Sequence, residues 1–170
     1  MRIIKELIPY IVIVIVVVLI RTFIVTPVIV SGPSMEPTLK NNDILILNKL
    51  QKKFNRYDIV VIDANINGKK ERIVKRIMGL PKETIEYKNH MFYVNGKRLS
   101  DDFRGKTRDF DLEDVTNYKK IPKDYYFVMG DNRLNSLDSR DYRIGLVKKK
   151  DIIGVPIFRI WPINKVGTIK

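Results

Sequence analysis

Residues 7–20 form a run of fourteen uncharged positions, nearly all Ile, Val or Leu. Arg21 interrupts it, and residues 22–25 resume the apolar pattern. A helix crossing a bilayer needs roughly 20 residues. Residues 7–25 supply nineteen if the Arg21 guanidinium reaches the interface along its aliphatic stem. Pro9 falls in the first turn of such a helix, where its missing N–H is tolerated. A cleaved secretion signal should end at a small-x-small site, and residues 23–28 offer none. A soluble chain would hardly begin by hiding so long an apolar run. The pattern predicts an uncleaved, single-pass membrane anchor over 7–25, after a short cytoplasmic segment over 1–6. Arg2 and Lys5 against Glu6 favour that orientation only weakly, because long domains translocate largely regardless of charge.

From residue 38 onward the periodicity is that of strands. Residues 43–48 and 58–62 are short apolar runs flanked by turn residues. The Asn67-Gly68 turn leads into residues 71–79, where charged and apolar positions alternate. Residues 84–87 read as a strand. Residues 91–94 and 97–99 flank Asn95-Gly96, a pair that accepts the positive φ of a tight hairpin. Residues 125–129, 152–154 and 156–162 complete the set, the last ending in the exposed or interfacial Trp161. Residues 100–120 are strongly charged and weakly apolar, and read as a variable surface excursion. The expected fold is mainly β, with residues 26–170 forming one extracytoplasmic domain behind one N-terminal helix.

Composition narrows the chemistry. The chain has no cysteine, which removes disulfides, thiolate metal sites and a cysteine nucleophile. His90 is the single histidine, so a histidine metal cluster is excluded. The formal charge is +13, which admits nucleic acid, anionic lipid or a polyanionic wall as partners. The basic residues are dispersed and not interleaved with aromatics, unlike a base-stacking platform; nucleic acid is not expected.

Three stretches carry candidate chemistry. Residues 31–39 (SGPSMEPTL) place Ser34 between Gly32-Pro33 and Glu36-Pro37, on backbone that cannot be helical. A rigid loop presenting a hydroxyl beside free N–H groups suits a serine nucleophile with an oxyanion donor. In the strand over 71–79, Lys75 shares a face with Ile73 and Ile77, while Arg72, Val74, Arg76 and Met78 line the other. Desolvation lowers an amine's pKa, and a neutral amine is a usable general base. An edge-strand lysine guarding against aggregation is the competing reading. Residues 130–147 are dense in groups that bond backbone: Asp131, Asn132, Arg133, Asn135, Ser136, Asp138, Ser139 and Arg140. A metal site through Asp131, Asn132 and Asp138 lacks the spacing of a calcium loop.

Taken together, these stretches resemble type I signal peptidases, membrane-anchored serine proteases that remove signal peptides. Residues 31–39 resemble the nucleophile motif, 74–81 (VKRIMGLP) the lysine motif, and 130–140 (GDNRLNSLDSR) the last motif. Each alone is weak; three in order behind an anchor are specific. The resemblance implies a bent β-sheet domain and a Ser-Lys dyad with no metal or cofactor. Ser34 would be the nucleophile and Lys75 the general base. Ser136 would orient the lysine amine, while Asp131, Asp138 and Arg140 would form ion pairs shaping the site. The implied substrate is a signal-peptide-bearing precursor, bound as an added strand and cut after a small-x-small site, with Met35 and Val74 as pocket walls. It also implies a cell-membrane location with the catalytic domain on the outer face, membrane lipid as a partner, and a monomer.

Two positions depart from the pattern. Gly32 stands where some relatives carry a serine hydroxyl for the oxyanion, leaving the Ser34 N–H to do more, with Ser31 a poor substitute. Four residues (141–144) separate Arg140 from Gly145 where about two are expected, which leaves the path after Arg140 open. Three other readings compete. A self-cleaving Ser-Lys switch protein would carry a DNA-binding domain, and none is visible. A non-catalytic anchored module would use the basic charge to hold wall, lipid or nucleic acid. A Ser-His enzyme through His90 has no evident orienting acid.

Overall fold

The computed structural model describes residues 2–101 and 107–169. It begins with α1 (Arg2–Phe23), whose segment Glu6–Phe23 is long and apolar enough to cross a membrane. The helix differs from expectation at both ends. It starts before residue 7, so Pro9 lies inside it and forfeits the bond to the Lys5 carbonyl. It also stops before Val25, because Val25 already pairs with Asn48 in the sheet.

Two antiparallel sheets follow. The strands are β1 (Val25–Ile29), β2 (Ile44–Asn48), β3 (Ile59–Ile66), β4 (Lys69–Gly79), β5 (Ile85–Lys88), β6 (Met91–Val94), β7 (Lys97–Leu99), β8 (Phe110–Asp111), β9 (Tyr125–Met129), β10 (Val147–Lys148), β11 (Ile152–Trp161) and β12 (Gly167–Thr168). The larger sheet runs β1-β2-β11-β3-β4-β9-β10, with β12 beside β11; the smaller runs β7-β6-β5-β8. Mainly β architecture is thus the observed class. Every strand expected from periodicity is present, with residues 152–161 forming one strand rather than two.

The long hairpin β3–β4 is the spine. It pairs Ile59 with Arg76 through to Ile66 with Lys69, closed by Asn67 and Gly68, both at positive φ. β4 lies between β3 and β9, so Lys75 sits on a central strand and the edge-guard reading falls. Apolar residues from β1, β2, β3 and β4 form a core with Met35 and Leu39 of the loop between β1 and β2. A second core lies over the smaller sheet, and a third joins β3, β4, β9 and β11. Register shifts interrupt β11 against β2 and β3, and β4 against β9. Such bulges bend strands and increase their twist.

The surface excursion expected over 100–120 is corrected where it is described. Residues 102–106 lie outside the described residues. Beyond them β8 pairs with β5, and the short helix α2 (Leu112–Thr116) is capped by Asp111 accepting from the Asp114 N–H. Leu112 is buried, with Phe110 and Val115 packed against the same core. Only a few apolar residues are needed to roof a small sheet, which is why charge density hid this packing.

Leu112→Ala is expected to lower stability by about 2–5 kcal/mol, the usual range for a buried leucine. Thermal unfolding followed by circular dichroism checks it; a shift within error would return this segment to the surface.

Candidate active site

Residues 31–39 lie between β1 and β2 as a series of turns. The Val30 N–H donates to the Asp43 carbonyl, and the Glu36 and Leu39 N–H groups donate back to Pro33 and Met35 carbonyls. Gly32 holds φ +83, a conformation that glycine adopts without strain, and its N–H donates to Asn41 Oδ1. Met35 and Leu39 face the core and pin the loop from below. The hydroxyl of Ser34 remains free to face β4.

Lys75 meets it there. Its Nζ stands 2.7 Å from Ser34 Oγ, across 41 residues of sequence, and Lys75 is only 3% exposed. Burial lowers its pKa to about 8, with Arg140 pushing the same way and Asp138 and Asp131 opposing. The pairing is chemically specific. A protonated amine donates to the hydroxyl; a neutral one accepts from it and can take its proton.

The neighbouring residue on β4 builds the frame. Arg76 donates from Nε and Nη2 to the two carboxylate oxygens of Asp131, at 2.8 and 2.7 Å, and both side chains are buried. Asp131 Oδ2 also accepts from Thr38 Oγ1 at 2.6 Å. One carboxylate therefore ties the serine loop, the lysine strand and the loop after β9. Asp138 accepts from Arg140 Nε and Nη2, each at 2.8 Å, and from the Gly130 N–H at 3.0 Å. Asp131 and Asp138 are thus committed to arginines, which leaves the metal reading of this loop without free ligands.

Backbone contacts set the remaining tolerances. The Asn132 N–H donates to the Ser34 carbonyl at 3.0 Å, and Asn132 Nδ2 donates to the Pro33 carbonyl. A methyl group on Gly130 would stand 2.4 Å from the Ser34 carbonyl oxygen and 2.2 Å from Ser136 Oγ, so only glycine fits. Ser139 locks the end of β9 by accepting from and donating to Val128. The path after Arg140 is a pair of turns on the Asp138 and Asp141 carbonyls, ending at Gly145 with φ +55.

The sequence-derived residues fall as follows. Ser34 and Lys75 are brought into contact. Asp131 and Asp138 with Arg140 form ion pairs beside them. Ser136 is delivered to the site across Gly130, yet its buried Oγ has no hydrogen-bond partner among the described residues; the expected bond to the Lys75 amine is not formed. Met35 and Val74 share one apolar cluster. His90 lies on the smaller sheet, its ring 2.8 Å from the Thr107 carbonyl, with no link to Ser34. Sequence reasoning gave no frame role to Arg76, Thr38 or Gly130, whereas Asn132, expected to bond backbone, does so at Ser34 and Pro33. Arg76 carried a signal: a charge in the middle of a strand buried on both faces requires a buried partner.

Comparison with known proteins adds the remaining evidence. The family model described as signal peptidase, peptidase S26, matches residues 3–161. A signal peptidase I P from Bacillus subtilis subsp. natto is 45% identical over 161 residues, covering 89% of this chain and 85% of its own. A signal peptidase I from Bacillus caldolyticus is 42% identical over 170 residues, covering 92% and 91%. The crystal structure of a signal peptidase I from Enterococcus faecalis V583 superposes with a TM-score of 0.55 at 37% identity, covering 61% of this chain and 96% of that one.

Two stability measurements test this frame. Asp131→Ala removes the carboxylate that balances the buried Arg76 charge and should cost about 3–5 kcal/mol in urea unfolding; a loss typical of a surface site would remove Asp131 from the frame. Lys75→Met should stabilise the domain at pH 7 by about 3 kcal/mol. The sign follows from the lowered pKa: the folded state resists protonation, so wild type loses stability as pH falls from about 10.5 to about 8. The advantage of the variant should shrink toward pH 10.5, and an advantage independent of pH would rule out the titration.

Proposed function

The chain belongs to the signal peptidase family, peptidase S26, and is a serine endopeptidase; from that premise we propose that it cleaves N-terminal signal peptides using Ser34 as nucleophile and Lys75 as general base. The observation that carries this reading is the 2.7 Å contact between a buried amine and a loop hydroxyl, with the amine's pKa lowered to about 8.

In the acylation step neutral Lys75 accepts the Ser34 proton as Oγ attacks the scissile carbonyl carbon. Oγ forms the ester, the leaving amine takes a proton from the lysine ammonium, and the mature chain departs. Water then attacks the ester with Lys75 again as base. The oxyanion falls to the Ser34 backbone N–H, since Gly32 offers no hydroxyl. Ser136, with its unpartnered Oγ, is suited to steer the amine once substrate is bound.

Substrate delivery follows from the edge of the larger sheet. β1 is the edge strand, and its outer backbone groups run directly into the Ser34 loop. A precursor adding as a strand along β1 would carry its scissile bond to Ser34, with buried Met35 and Val74 backing the pockets for small side chains one and three positions before the cut. Under this reading α1 anchors residues 26–170 to the membrane as a single-pass protein, N-terminus cytoplasmic, with membrane lipid around it and the catalytic domain outside, acting as a monomer.

Cleavage of a reporter precursor by detergent-solubilised protein tests the dyad. Ser34→Ala and Lys75→Ala should each abolish the single cut after a small-x-small site while remaining folded. Lys75→Arg should stay inactive, because a guanidinium does not deprotonate; substantial turnover would eliminate the dyad. For wild type, the rate should fall about tenfold per pH unit below about 8 and level off above it. A rate constant down to pH 5 would contradict a lysine base.

A further inference from the structure

Away from the dyad lies a groove of about 680 Å³ whose walls include Lys52, Lys123, Lys148, Lys149 and Lys150. Asp124 is the one carboxylate in its lining, and none of the five lysines pairs with a carboxylate among the described residues. The lysines come from three separate segments: the loop after β2, the turn before β9, and β10 with the 3-10 turn Lys149–Asp151. Tyr125 and Ile152 form its floor, with Lys148 Nζ 5.9 Å from the centre of the Tyr125 ring. The Lys149 N–H donates to the Asp124 carbonyl at 2.8 Å, which holds the two sides together. Five like charges around one depression repel one another, and an anion entering it relieves that repulsion.

Position decides which anion. The Lys49 N–H donates to the Ile24 carbonyl at 3.0 Å, and Lys49 Nζ donates to the carbonyl of Thr22 in the last turn of α1. Lys52 is three residues further on. From the other side, Gly154 of β11 packs so closely that a methyl group there would stand 2.2 Å from the Asn48 carbonyl oxygen and 3.1 Å from Lys49 Cα. Ile152 on the groove floor is two residues away, at most about 7 Å of extended chain. Lys52 and Ile152, on two sides of the groove, therefore lie within a few residues of the contacts at the helix end, which would lie near lipid headgroups if α1 spans a bilayer. Attraction between lysines and anionic headgroups acts within about a Debye length, roughly 8 Å at physiological salt.

We propose that this groove binds the phosphodiester headgroup of an anionic phospholipid and thereby holds the domain against the bilayer. The inference rests on α1 being a membrane anchor. A phosphodiester supplies two anionic oxygens for several ammonium groups, and glycerol carbons suit the aromatic and aliphatic floor.

The test uses the full chain reconstituted into vesicles of phosphatidylcholine alone or in equimolar mixture with phosphatidylglycerol. Lipid retained on the protein after detergent extraction is identified by native mass spectrometry. Wild type should retain phosphatidylglycerol in preference to phosphatidylcholine. The preference should fall about fivefold for each lysine removed in Lys148→Gln/Lys149→Gln/Lys150→Gln. The separate variant Lys52→Gln/Lys123→Gln should weaken it from the opposite wall. Lys69→Gln/Lys70→Gln/Lys82→Gln, with the same loss of charge elsewhere, should keep it. Precursor cleavage in detergent, unchanged in all three variants, reports that they are folded. Equal retention of the two lipids by wild type, or an equal loss in the Lys69/Lys70/Lys82 variant, would overturn the groove. Displacement of the lipid by soluble glycerol phosphate would reassign it to a free phosphate ester and overturn the lipid assignment. Protein that fails to float with phosphatidylcholine vesicles overturns the anchor instead; protein that floats without lipid preference overturns the groove alone.

Discussion

The ion pair between Arg76 and Asp131 is the constraint on which the rest of the site depends. Both side chains are almost wholly removed from water, and a charge in that setting is tolerated only with its partner in place. The pair therefore fixes the loop after β9 against β4. Because Asp131 also accepts from Thr38, it fixes the serine loop as well. Lys75 is the next residue on β4, so the strand that carries the amine is held by the same bond that holds the hydroxyl's loop. Precision at the dyad comes from this shared anchor more than from the 2.7 Å contact itself.

Stability and chemistry pull in opposite directions at Lys75. Folding places an amine where water cannot solvate its charge, and the lowered pKa records that cost. The two carboxylates nearby raise the pKa again, but they are neutralised by Arg76 and Arg140. Arg140 also acts on the lysine directly, its charge pushing the pKa down, and desolvation by burial remains the largest effect.

The two ends of the domain divide the labour of the surface. The serine loop leaves one end of β1, and at the other Lys49, three residues before Lys52 of the groove, bonds the last turn of α1. Between them β1 exposes a free sheet edge. The basic composition is therefore not evenly distributed: one group of lysines gathers around a single groove.

Much of this was legible in the chain. Apolar length marks α1, period two marks the strands, and Asn-Gly marks the β6–β7 hairpin, because each depends on neighbours in sequence. The motifs around Ser34, Lys75 and Asp131 named the family, and the apolar face of Lys75 already pointed to a desolvated amine. What the sequence could not decide were distances between segments. The Ser34–Lys75 contact, the Arg76–Asp131–Thr38 bridge and the close approach of Gly130 to Ser34 each join residues tens of positions apart. The core role of Leu112 was hidden by its charged neighbours. Local preference follows from steric and solvent effects within a few residues, whereas these contacts exist only once the sheets close and bury charges that must then find partners.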